Sequence, residues 1–241
     1  MLPSIRINLP TFRLLLTSFI LAFCSLSYEF MIAQTISSLL GNTLLFYTLT
    51  IGLYIFSLGI GSLVPVEKLT DFKLKQRLYW VEIVICILGG WGPIWLILFD
   101  HVAFSVIADT TTVYLFSVIA SLSLVVIIGV LSGMELPILL RIDQVQHHGK
   151  YYIQLLAFDY IASFVGALAF PLWFFREWGI LKSANFFALF NLAVIFMFFP
   201  DHKKLRHLTV IMILFILLGY SFVQNESIHE WVSQRLLAAK P

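Results

Sequence analysis

The sequence predicts an all-α fold, a polytopic transmembrane bundle of about seven helices. Three observations predict it. Sixty per cent of the 241 residues are hydrophobic and only 12% are charged, with a mean hydropathy of +0.95. The apolar residues fall into runs long enough to be membrane spans. Lys and Arg gather in alternate loops between those runs. A soluble domain carries about 25% charged residues, so this chain has too few to cover a water-facing surface. The net charge of +2 excludes a strongly basic nucleic-acid-binding face.

A bilayer core of about 30 Å needs roughly 20 apolar residues per helix. Spans are expected near residues 12–35, 43–65, 78–99, 111–140, 151–175, 180–199 and 206–223. The fourth is long enough to tilt, kink or begin outside the hydrocarbon. The fifth and sixth are joined by a short connector at Arg176, Glu177 and Trp178, which predicts an antiparallel hairpin. Residues 1–223 form one transmembrane domain, and residues 224–241 a short extracytoplasmic amphipathic tail. In the tail Ile228, Trp231, Val232 and Arg235 have helical spacing, and Ser227 with Glu230 resembles a capping box.

Orientation follows from the basic residues. One side carries Arg6, Arg13, Lys68, Lys73, Lys75, Arg77, Arg141, Lys150, Lys203, Lys204 and Arg206. The other carries Arg176, Lys182, Arg235 and Lys240. The positive-inside rule places the N-terminus in the cytoplasm and the C-terminus outside. The first run lacks a small-residue cleavage site and contains Tyr28 and Glu29, so it reads as an uncleaved helix. Cys24 and Cys86 lie in apolar runs and read as small buried residues rather than a disulfide. His147-His148-Gly149 lacks the spacing and the companions of a zinc site. No phosphate loop, dinucleotide fingerprint, nucleophile elbow or zinc-protease helix occurs. No catalytic residue, cofactor or metal is therefore expected.

The informative residues are the acids within the spans: Glu29, Glu82, Glu135 and Asp159. A charge near the bilayer centre costs at least about 2.5–3.5 kcal/mol, so such groups face a protein interior or a wet cavity. At 1.5 Å per residue, Glu82 lies about 8 Å, Glu135 about 9 Å and Asp159 roughly 12 Å from the cytoplasmic side. Glu29 falls in the outer half. Gly129-x-x-x-Gly133 precedes Glu135 and Pro137. The glycines permit close helix contact, and the proline frees the Gly133 carbonyl. Asp159, Ser163 and Gly166 share one helix stripe, with Tyr160 beside the acid. Ser25 stands one turn before Glu29, and Tyr28 is adjacent. The competing reading is structural for each: Glu82 pairing with Lys75 or Arg77, Glu135 with Arg141, Asp159 with Tyr160 or Ser163, and Glu29 with a neighbouring helix.

Four of these pieces stand in a familiar order: Ser25-x-x-Tyr28-Glu29, the glycine-rich stretch from Gly52 to Gly61, Gly133-Met134-Glu135-Leu136-Pro137-Ile138-Leu139, and Asp159-Tyr160 with Gly166-Ala167 and Pro171. Together they resemble the membrane domain attached to bacterial spermidine-synthase-like proteins, over about residues 12–223. In that family a multi-helix membrane segment precedes a Rossmann-like aminopropyltransferase domain. The sequence carries no glycine-rich cofactor turn of that kind, so an enzymatic activity of its own is not expected. The resemblance implies a bacterial inner membrane location, a separately encoded synthase-like partner, and a polyamine or other small cation as ligand. The expected function is binding or passage of such a cation through a transporter-like bundle. Glu29, Glu82, Glu135 and Asp159 would meet its ammonium groups, with Tyr28, Tyr160 and Ser163 beside them. The alternative is a non-transporting scaffold that anchors the partner. A membrane enzyme acting on a lipid or prenylated substrate is a third reading.

Overall fold

A computed structural model describes residues 9–107, 109–198 and 205–224. Among these the fold is all-helical: α1 (Leu9–Leu40), α2 (Thr43–Ser62), α3 (Asp71–Gly90), α4 (Gly92–Val106), α5 (Thr110–His147), α6 (Tyr152–Ala169), α7 (Phe175–Phe198) and α8 (Leu205–Val223), with a π-helical turn at Phe170–Phe174. The tail from residue 225 onward, with its expected capping box, lies outside the described residues, as do Arg6, Lys203 and Lys204.

Each break has a local cause. Gly41 (φ 72°) and Asn42 (φ 43°) take consecutive left-handed conformations between α1 and α2, and these two residue types tolerate that region best. The expected third span is two helices bent by 56° around Trp91. Pro93 supplies no N–H to the ladder of α3 but fits the first turn of α4. At 38 residues α5 is about 57 Å long, well beyond a bilayer core. Its start is capped by Asp109, which accepts from the Thr112 N–H at 2.8 Å. At its end the fully buried Asp143 accepts the Tyr151 N–H at 3.0 Å and fixes the turn into α6.

The chain reverses beside the predicted connector, at Gly179 (φ 69°, ψ −174°), but α6 and α7 each pack on α1 rather than along one another. The rings of Phe174 and Phe187 meet at 4.7 Å, whereas a continuous helix would hold them about 20 Å apart. Pro171 sits inside the π turn, where a wider ring absorbs the ladder bond it cannot make.

By length and composition four helical stretches are apolar enough to cross a membrane, and α3 with α4 makes a fifth if counted as one bent span. The stretch Tyr152–Ile195, counted once, contains the reversal at Gly179. Large apolar side chains point outward along the bundle, among them Leu44, Phe56, Ile119, Phe164 and Ile216. The core sits around α1, which packs against α2, α5, α6 and α7.

Two helix pairs touch nearly backbone to backbone. Gly61 and Gly133 bring α2 and α5 together so closely that a Cβ on either would overlap the facing carbonyl, of Val130 or Leu58. Gly129 adds a third contact, where a Cβ would lie 2.7 Å from that of Ser57. On the other pair, Gly166 of α6 lies against Phe23 of α1, with 3.0 Å from a would-be Cβ to the Phe23 carbonyl.

Candidate functional site

The seam between these two pairs holds a cavity of about 350 Å³. Its polar lining comes from Ser25 on α1, Tyr54 and Ser62 on α2, Ser132 and Glu135 on α5, and Asp159 and Ser163 on α6. The rest is mostly apolar, including Ala22, Leu26, Leu58 and Leu140, and among the described residues no Lys, Arg or His lines it. Gly133 and Pro137 also face it. Since Pro137 has no N–H, the Gly133 carbonyl lacks its usual intrahelical donor. The cavity therefore combines two carboxylates and hydroxyl oxygens in mostly apolar walls. That chemistry suits a cation with an alkyl body.

The helical register explains why these residues converge. Asp159, Ser163 and Gly166 lie on one stripe of α6, and Gly166 seats that stripe against α1. On α5, Ser132 and Glu135 flank Gly133, the residue that seats α5 against α2. Glu135 is 6% exposed and lies within electrostatic reach of Asp159 and of Glu82.

The candidate residues divide into groups. Glu135, Asp159 and Ser163 come together in the cavity. Glu29 is buried (3% exposed) one turn further along α1 than the cavity residue Ser25, within electrostatic reach of Tyr54. Tyr160 points out of the bundle at 69% exposure. Tyr28 is fully buried against Gly89 of α3, and its hydroxyl has no hydrogen-bond partner among the described residues.

The pairing of Glu82 with Lys75 or Arg77 is not what the structure holds. Lys75 pairs with Asp71 at 2.8 Å, and Arg77 donates to the Pro65 carbonyl at 3.2 Å. Glu82 is 1% exposed between α3 and α7, where it accepts from the Asn191 side-chain amide at 2.8 Å. Arg141 likewise does not reach Glu135. It donates to Gln144 at 2.6 Å and to the Glu67 carbonyl.

Sequence reasoning missed Tyr54, Ser132 and Asn191. Tyr54 is 1% exposed and shares a 2.8 Å hydrogen bond with Ser25, joining α2 to α1 across the seam. The signal was present: Tyr54, Leu58 and Gly61 follow the i, i+4, i+7 spacing of one face, and Gly61 marks that face as buried. Cys24 and Cys86 are free and buried, as expected. Among the described residues no cluster of His, Cys, Asp and Glu has the makings of a metal site. His147 instead faces Asp143 at 3.4 Å.

No protein-family model matches the chain, and no solved structure matches it. Its relatives are polyamine aminopropyltransferases. The one from Leptospira interrogans serogroup Icterohaemorrhagiae serovar copenhageni is 28% identical over 212 residues, which is 84% of this chain and 40% of the relative. Polyamine aminopropyltransferase 1 of Streptomyces coelicolor is 29% identical over 192 residues, or 78% of this chain and 34% of the relative. Polyamine aminopropyltransferase 2 of Ralstonia nicotianae is 31% identical over 187 residues, or 75% and 34%. The chain thus spans about a third to two fifths of the length of these relatives, and across most of its own length it is similar to polyamine aminopropyltransferases.

Proposed function

We propose that this chain is a membrane-embedded bundle whose seam cavity binds a linear polyamine or a similar alkylammonium cation. The observation that carries the reading is the joint presence of Glu135 and Asp159 in one cavity that no basic side chain lines among the described residues. Two carboxylates set in mostly apolar walls, with no basic side chain among the described lining residues, favour a cation between them. The apolar lining accommodates the methylene segments of such a ligand, and the hydroxyls of Ser25, Tyr54 and Ser163 accept from ammonium N–H groups. The outward apolar side chains and the length of the helices support the membrane setting, and the alternation of basic loops favours a cytoplasmic N-terminus. The similarity to polyamine aminopropyltransferases makes polyamines the first cation class to test.

Purified in mild detergent, the protein is expected to bind radiolabelled spermidine. Glu135→Gln and Asp159→Asn should each lose about 2 kcal/mol or more of binding energy, on the order of thirtyfold in affinity. Wild-type affinity retained by both variants rules this cavity out as the cation site.

A further inference from the structure

A second cavity, of about 390 Å³, adjoins the first. It lies at the end of α5 nearest the turn into α6, and its polar lining is Glu67, Arg141, Gln144, His148 and Tyr152. Pro137 and Leu140 line both cavities.

The register of the helices shows that the two spaces follow one another. On α6, Tyr152 faces the outer cavity and Asp159 the inner one; residues i and i+7 share a helix face, here about 10 Å apart along the axis. On α5 the lining runs inward from Gln144 and Arg141 through Leu140 and Pro137 to Glu135. The third wall passes from Glu67, beyond the end of α2, to Ser62 and Tyr54 within it. The same three segments therefore wall both spaces in the same order.

Arg141 spans the outer end. Its guanidinium donates to Gln144 on its own helix and to the Glu67 carbonyl across the seam, tying the segment after α2 to α5. It stands six residues from Glu135, about 9 Å along the helix, which is within the Debye length of about 10 Å at 0.1 M salt.

We propose that the outer cavity is the entrance to the acidic cavity, and that a cationic ligand reaches Glu135 and Asp159 from the Arg141 end, past Leu140. This route rests on the cation-binding reading given above. It assigns Arg141 a role in the rate of entry: its guanidinium offsets the attraction that the Glu67 carboxylate in the same lining exerts on an incoming cation, more so at low salt.

The test uses the full chain with Tyr152→Cys, a half-exposed position that lines only the outer cavity. Cys24 and Cys86, 1% and 0% exposed, are shielded from reagent. Attachment of a bulky maleimide at residue 152 is expected to slow spermidine association by roughly tenfold or more. Arg141→Gln is expected to associate faster than wild type at low salt, the advantage shrinking as salt rises. Spermidine binding at an unchanged rate after labelling overturns the route alone. Failure of the unlabelled protein to bind spermidine overturns the cation reading and the route with it.

Discussion

Glu82 and Glu135 are the same side chain on apolar helices, yet their surroundings differ. Glu135 opens onto a cavity, whereas Glu82 is enclosed between α3 and α7 with one amide partner. The role of Asn191 is thus to satisfy a buried carboxyl oxygen. Asn191→Leu leaves that oxygen without a donor and is expected to destabilise the protein by about 1–3 kcal/mol, read as thermal unfolding in detergent. Glu82→Gln keeps an acceptor for the amide and should change stability by less than about 1 kcal/mol. If both variants unfold alike, the hydrogen bond is not what holds this site. In the sequence Glu82 stands near the start of the apolar run 78–99, with Lys75 and Arg77 just before it. The helix in fact begins at Asp71, so Lys75 and Arg77 already lie within it and take up partners of their own. Asn191 was invisible because it comes from a helix more than a hundred residues away.

At the scale of the elements, glycine decides which helices touch. Gly133 and Gly61 are pressed against opposing backbone, which cannot move aside as a flexible side chain would. Gly133→Ala is therefore expected to cost about 1–3 kcal/mol through overpacking. Gly52, on the same helix as Gly61, has open space where a Cβ would go. Gly52→Ala should be neutral or stabilise by up to about 1 kcal/mol, since alanine is the better helix former. Parallel thermal melts of the two variants test the contrast, and equal losses would refute it. The Gly129-x-x-x-Gly133 pair was legible as a contact motif because spacing alone puts both residues on one face. Its partner α2 was not, because no rule of spacing says which neighbour a face will meet. The breaks were partly legible in the same way. Gly92-Pro93 marked an ending, but the 56° bend depends on how α4 then packs on α5 and α1.

For the whole molecule, the all-helical class was readable from the long apolar runs, whereas of the seven expected spans four helical stretches, or five with α3 and α4 counted as one, are long and apolar enough to cross a membrane. The cavity was not readable, since its acids stand 24 residues apart on different helices and meet only through the seating of α5 on α2 and of α6 on α1. A ligand in the seam contacts four helices at once, so its binding should raise the stability of the entire bundle. At a concentration 100 times its dissociation constant, spermidine is expected to add about 2.7 kcal/mol to unfolding. The gain should vanish when Glu135→Gln and Asp159→Asn are combined, as seen in detergent melts with and without the amine.

The glycine clasps have one more consequence. They make α1 with α6 and α2 with α5 into two stiff planks, and they leave one carboxylate on each. The width of the space is then set by how the planks lie against each other, with the Ser25–Tyr54 hydrogen bond as a pin between them. A guest of the proposed kind would be held from both pairs at once, by one carboxylate from each.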